Sequence, residues 1–353
     1  MDTRLRYVPA LDGLRALAVG AVVALHAGLG LALGGGVGVD VFFVLSGYLI
    51  TSLLLGEQER HGRIDLGAFL VRRLRRLAPA LVVMIAVVGL FAALAPLELS
   101  DQFDYPGLAG SLVIAGSYTA NLGIITGVAA GPMFHTWSLG VEMQFYLLWP
   151  VFVMRMTARR ASPRTLLATI GAAIAAVAVW RVLLLHVGEA THVLYGLDTR
   201  ADPLLAGAAV AILARAGRLP STALARLAPV ALLILAAVVV LAPSVTQLVY
   251  GGYLLIDVCG AILVAHLAAG RLTVLRPLAW RPLVYAGTLS YSIYLWHFPV
   301  FHALTASTLG LSRGPSIVVR VALTFILAAA SYHLVENRLR ASTTKPGRVK
   351  ALA

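Results

Sequence analysis

Charge is what this sequence has least of. Asp, Glu, Lys and Arg make up 12% of its 353 residues, 60% are apolar, and the mean hydropathy is +0.89. A soluble domain carries about a quarter of charged residues, so a soluble globular chain is excluded. Cysteine is almost missing: Cys259 stands alone, which rules out an intramolecular disulfide and argues against a thiolate-held metal. The sequence also lacks a Gly-rich phosphate loop, a Gly-x-Ser-x-Gly elbow, a dinucleotide fingerprint and a zinc-type His/Glu pair at helical spacing. A covalent serine enzyme is not indicated, and no metal is expected.

What the chain does have is a series of apolar runs of membrane-spanning length. Helices are the only way open chain segments cross a bilayer with their backbone groups satisfied. The expected class is therefore all-α, a polytopic integral membrane protein. Spans are expected at about 8–30, 38–56, 79–96, 136–157, 165–186, 203–215, 224–243, 248–268, 283–305 and 315–337. Segment 203–215 is short for a crossing. Segment 107–122 is read as an outer re-entrant or surface helix. The first apolar stretch has no small-residue cleavage site, so it is not read as a cleavable signal.

The net charge of +13 suggests nucleic acid only until its distribution is considered. Basic residues cluster at Arg4 and Arg6, Arg72–Arg76, Arg155–Arg164, Arg215–Arg226, Arg271–Arg281 and Arg338–Lys350, separated by apolar segments. That is the positive-inside pattern. Ten spans place every cluster and both termini in the cytoplasm, and no nucleic-acid partner is expected. Segment 66–77, LGAFLVRRLRRL, puts Leu66, Phe69, Leu70, Leu74 and Leu77 on one helical face and four arginines on the rest. It reads as an amphipathic helix on the inner membrane surface, either a lipid-headgroup anchor or a guanidinium cluster for ligand phosphates.

Against this apolar background the ionisable residues stand out. Arg15 and His26 lie eleven residues apart in the first span. They fall within about 20° of one helical face, at roughly 16 Å along the axis. Ionisable groups at such depth are costly and are candidates for function, although each could also snorkel to an interface. In HTWSLGVEMQFYLLWP (135–150), His135, Ser138, Glu142 and Tyr146 form a stripe at helical spacing. Glu142 either pairs with an arginine or stabilises a protonated histidine. In the ninth span Ser290, Tyr294 and His297 repeat the spacing, and Pro299 is expected to kink the helix. Asp40 and Ser46 open the second span, where capping is the favoured reading of Asp40. Arg200 and Asp202 read as an ordinary ion pair at the outer end of a span. Asp257, His266, His333 and Glu336 are further polar residues within spans.

Taken together, these stretches resemble the membrane acyltransferase-3 family of O-acyltransferases over nearly the whole chain. LDGLRALAVGAVVALHA (11–27), GVDVFFVLSGYLIT (38–51), FLVRRLRRLAPAL (69–81), HTWSLGVEMQFYLLWP (135–150) and SYSIYLWHFPV (290–300) match family motifs in the right order. The family often has Glu-x-Pro in the last span. Here Asn337 and Arg338 follow Glu336, which puts the role of Glu336 in doubt. The resemblance implies a transmembrane acyltransferase domain over 1–340 and a disordered cytoplasmic tail at 341–353. A stand-alone core is expected, without the extracellular esterase-like domain of some relatives.

The resemblance further implies transfer of an acyl group, commonly acetyl, from coenzyme A to a hydroxyl of a carbohydrate or other small molecule. No permanently bound cofactor is implied; acyl-CoA is a co-substrate. The catalytic residues are then His26, as general base, and Glu142. The substrate-binding set is Arg15, Asp40, Ser46, Arg72, Arg73, His135, Ser138, Tyr146, Arg200, Tyr294 and His297. Arg72 and Arg73 are the candidates for coenzyme A phosphates. Two competing expectations are a proton-coupled transporter and a transmembrane acyl-relay subunit that serves a separate transferase. Acceptor, acyl length and oligomeric state stay open at this level.

Overall fold

The structure, a computed structural model, describes residues 7–94, 107–270 and 275–341, with side chains to Leu339. Every regular element among the described residues is helical. In chain order, α1 is Pro9–His26, α2 Val37–His61, α3 Leu66–Leu94, α4 Leu108–Gly116, α5 Ala120–Ile125, α6 Trp137–Ala158, α7 Pro163–His186 and α8 Ala190–Tyr195. Then come α9 Leu197–Arg200, α10 Asp202–Arg215, α11 Ser221–Leu241, α12 Tyr253–Ala268, α13 Arg281–Thr288, α14 Ser290–Ala303, α15 Arg313–Ser331 and α16 Asn337–Ala341.

Among the described residues seven helical runs are long and apolar enough to cross a membrane: Pro9–His26, Gly30–His61, Leu66–Leu94, Pro163–His186, Ser221–Leu241, Val245–Ala268 and Arg313–Leu339. The chain is thus an all-α polytopic membrane protein. The other three expected spans are helical in less regular ways. Segment 136–157 is α6, whose 22 residues include Glu142 and Arg155. Segment 203–215 is α10, only 14 residues long, against the ~20 that a full crossing needs. Segment 283–305 is broken into α13 and α14 at Leu289. The region 107–122 holds two short helices, neither long enough to span. Arg4, Arg6, Arg271 and the expected tail from residue 342 lie outside the described residues.

The arginine-rich segment 66–77 is not a separate surface element. It forms the first turns of α3, which continues through Pro79 to Leu94. Interior proline removes one backbone hydrogen bond and crowds the preceding turn, but here the helix carries on past it. Local chemistry sets other boundaries. Ser162 accepts a hydrogen bond from the Thr165 backbone N–H at 3.1 Å and Pro163 follows at the first helical position, so α7 begins there. Gly62, with φ +67°, closes α2 in the left-handed conformation.

The chain divides into two compact units. Among the described residues the first comprises 7–69, 144–270 and 275–288. Within it α10 lies along α2, and α12 packs against α2, α10 and α11. Close approach of α2 and α10 depends on two glycines. A Cβ on Gly47 would stand 1.9 Å from the Leu204 carbonyl oxygen, and one on Gly207 would stand 2.0 Å from that of Val44. Backbone contact of this kind is the usual packing solution where lipid removes the hydrophobic drive between helices. Val44, Leu54, Leu204 and Leu263 are completely buried around it. Among the described residues the second unit comprises 70–94, 107–143 and 289–341. There α14 packs on α15, and the 3-10 turn Gly131–Thr136 packs on α14.

Candidate functional site

Each unit carries its own set of buried polar groups. In the first unit, α1 presents Arg15 and His26. Arg15 Nη1 lies 3.3 Å from Asp12 Oδ1, one turn before it, and Asp12 Oδ2 also accepts from the Tyr7 hydroxyl at 2.8 Å. His26 is the last residue of α1 and is partly buried. Its Nδ1 is 2.9 Å from the Val22 carbonyl oxygen. A carbonyl can only accept, so Nδ1 is the protonated nitrogen, and in the neutral ring Nε2 is the basic one.

On α2, Ser46 Oγ and the Tyr146 hydroxyl are 2.8 Å apart and buried. The Tyr146 ring meets Phe69 edge-on at 6.3 Å, and one turn further along α6 the Trp149 indole donates to Thr51 Oγ1 at 2.8 Å. Asp40 is 2% exposed and does not cap its helix: Gly36 flanks the start without a side-chain cap. Four residues in, the Asp40 carboxylate is past the reach of a cap. It accepts instead from Arg200 Nη2 at 2.5 Å. The expected Arg200–Asp202 pair is likewise corrected. Asp202 pairs with Arg181 of α7, Nη2 to Oδ2 at 2.8 Å, with both side chains essentially inaccessible. Both guanidiniums stack on the Tyr253 ring, Arg200 at 4.0 Å and Arg181 at 4.6 Å.

In the second unit α14 faces the turn before α6. The Tyr294 hydroxyl donates to the His135 carbonyl oxygen at 2.5 Å and accepts from Ser138 Oγ at 2.7 Å. His135 Nε2 donates to the Leu295 carbonyl oxygen at 3.1 Å, and His297 Nδ1 donates to that of Tyr294 at 2.6 Å. The two imidazoles lie edge to face at 5.4 Å, and His135 stacks on Phe298 at 5.2 Å. Of the expected stripe, His135 and Ser138 thus meet α14, with His135 on the 3-10 turn rather than on the helix, while Tyr146 pairs with Ser46 in the first unit.

Glu142 is partly buried and acts electrostatically on three tyrosine hydroxyls, those of Tyr118, Tyr291 and Tyr294. Tyr118 lies between α4 and α5 with φ 58°, a left-handed conformation that costs a non-glycine residue about 1–2 kcal/mol. Its ring is buried, and that burial, then the Glu142 charge, holds its hydroxyl protonated well above the ordinary tyrosine range. Tyr291 donates to the Leu77 carbonyl oxygen of α3 at 2.7 Å. Glu336, 3% exposed on a π-helical turn, accepts from Ser292. Arg72 is exposed and Arg73 partly buried on α3.

Sequence spacing thus singles out His135 and Ser138 in one segment and Tyr294 and His297 in another, but not their meeting. It misses Asp12, Tyr118, Arg181, Tyr253 and Tyr291. Arg181, a lone cation inside the apolar run AVAVWRVLLL, carries a usable signal. His26 belongs to the first unit and Glu142 to the second. Among the described residues no group of three or more His, Cys, Asp or Glu could hold a metal ion.

Ionisable residues buried within the helices of a multi-pass all-α chain are candidates for function. The comparisons give the family. A family profile described as an acyltransferase domain matches residues 8–335, and the chain belongs to that membrane acyltransferase-3 family. It is 35% identical to the peptidoglycan O-acetyltransferase OatA of Listeria monocytogenes, over 95% of this chain and 56% of that protein. It is 37% identical to the putative peptidoglycan O-acetyltransferase YrhL of Bacillus subtilis, over 95% of this chain and 55% of that one. With the O-acetyltransferase OatA of Staphylococcus aureus the identity is 31%, over 95% and 57%. The chain therefore spans little more than half the length of these relatives. No solved structure matches it.

Proposed function

We propose that the chain is a membrane O-acyltransferase that moves an acetyl group from acetyl-CoA to a hydroxyl of an envelope carbohydrate. The observation that carries this reading is the His26 tautomer. With Nδ1 committed to the Val22 carbonyl, the neutral ring offers Nε2 as a general base. The acceptor hydroxyl loses its proton to Nε2 as its oxygen attacks the thioester carbonyl. The tetrahedral intermediate then collapses, the carbon–sulfur bond breaks, and the thiolate of coenzyme A recovers that proton from the imidazolium. The reaction is balanced, with an ester and a free thiol as products.

Arg15 is held by Asp12 on the same face of α1 as His26. In this reading it steers the acyl-CoA arm, while Arg72 and Arg73 on α3 hold its phosphates by forked hydrogen bonds. Glu142 is a further catalytic candidate, whose role its substitution tests. The arginine distribution supports a cytoplasmic position for both termini. The names of the relatives support a carbohydrate acceptor, and family membership supports acyl transfer.

A second reading has one observation in its favour. Because the relatives extend well beyond the matched region, this region could pass the acyl group to a separate transferase. Purified protein in nanodiscs, given acetyl-CoA with and without a peptidoglycan fragment, separates the two. Free thiol and acetylated fragment from the chain alone support the enzyme. Thiol release without acetylated fragment supports the relay. No thiol release in either case contradicts both.

A further inference from the structure

The polar cluster of the first unit is out of balance by one charge. Three carboxylates, Asp40, Asp202 and Asp257, meet two guanidiniums, Arg181 and Arg200. All five residues are at most 4% exposed. Arg200 is committed to Asp40 and Arg181 to Asp202, with Tyr253 against both cations. Asp257 is the odd member. It lies one helical turn beyond Tyr253 on α12, on the same face.

No N–H or O–H donor of the described residues reaches either oxygen of Asp257. Of the charged groups acting on it, Asp202, a second carboxyl, is foremost. Two ionised carboxylates offer lone pairs on every oxygen and no donor between them. Neighbouring buried carboxyls cannot both ionise at ordinary cost, and the surplus charge is relieved when one of the two carries a proton. An uncompensated charge at this depth is also among the most costly things a fold can contain. Geometry and charge balance ask for the same thing, one hydrogen ion.

We propose that this cluster is a proton-binding site, holding a single exchangeable proton between the carboxyls of Asp202 and Asp257. The proton comes from water and returns to it; no bond other than O–H forms or breaks. With it the cluster is neutral, and α2, α7, α10 and α12 are joined through it. Without it the buried cluster carries one negative charge and the joint loosens.

The charges that face Asp257 are Asp202 from α10, Asp40 from α2 and Arg200 from the end of α9, with Arg181 of α7 behind Asp202. Of the other helices packed on α12, α11 carries Arg226 as its charged residue, and α1 carries Asp12, Arg15 and His26. His266 lies on α12 itself, nine residues further along. None of the cluster residues is assigned to the acyl-transfer step except Asp40 and Arg200, which the sequence motifs suggest as substrate-binding. Asp257 is outside that set, so its substitution tests the proton site independently of acyl transfer.

The test is infrared spectroscopy of the full chain in nanodiscs. Wild type should show a protonated-carboxyl C=O stretch that shifts in heavy water, and this band should vanish from Asp257→Asn. Asp257→Asn, which keeps the shape and removes the surplus charge, should melt at or above the wild-type temperature. Asp202→Asn, which strips Arg181 of its partner, should melt well below it. If Asp257→Asn fails to fold, titration of wild type alone decides, since the band must fade as pH rises. A wild type without the band, or a band retained in Asp257→Asn, overturns the proposal.

Discussion

At the scale of single residues, the site is organised by hydrogen bonds that settle which atom does what. The Val22 carbonyl fixes the His26 tautomer. The His135 and Tyr294 carbonyls fix the orientation of Tyr294 and His297. Glu142 has three tyrosine hydroxyls of the second unit in its field. Glu142→Gln keeps the shape and removes the charge. If Glu142 stabilises the imidazolium, kcat for acetyl transfer should fall at least about tenfold while KM for acetyl-CoA stays within about twofold. Stopped-time assays of thiol release measure both, and an unchanged kcat would remove Glu142 from the catalytic set.

This scale also shows where spacing in the sequence stops being informative. His135 with Ser138 and Tyr294 with His297 are legible as two separate sets because each repeats at three residues along its own segment; that the two sets meet is not, because Ser138 and Tyr294 lie 156 residues apart. Nor is the partner of Asp40, because Arg200 lies 160 residues away and no local pattern links them. Asp40 looked like a cap because it stands near a helix start, yet four residues in, its carboxylate has passed the reach of the first N–H groups. Asp202 looked like the partner of Arg200 because they are neighbours in sequence. In the structure the two side chains reach different helices.

At the scale of elements, the length of apolar runs located the helices well. The expected 165–186 is α7 at Pro163–His186, and 248–268 contains α12. What the runs could not convey was continuity. Segment 66–77 has a charged face and the following residues do not, so two elements were expected; the backbone runs through both as α3. The decisive element contact is that of α2 with α10. Gly207→Leu drives a side chain into the Val44 carbonyl, a rigid backbone atom, and should cost at least the ~1–3 kcal/mol of ordinary overpacking. Gly20→Leu on α1 is the control, because a Cβ there meets nothing within 4 Å. Thermal unfolding in detergent should show a clear drop for the first and little change for the second. Equal melting temperatures would contradict the close packing described for these helices.

At the scale of the whole molecule, the class was plain from composition alone, and five ordered motifs made the family visible. The division into two compact units was not visible, because α3 and α6 each cross the boundary without any break in apolar pattern. The account as a whole rests on the ring at the end of α1 accepting a proton during acyl transfer. The most direct measurement is the rate of acetyl-CoA thiol release with a peptidoglycan fragment by purified wild type and His26→Ala, alongside their melting temperatures. The account predicts a loss of about 100-fold or more, with the melting temperature unchanged to within a few degrees. A folded His26→Ala protein that turns over acetyl-CoA at a rate near that of wild type would contradict it.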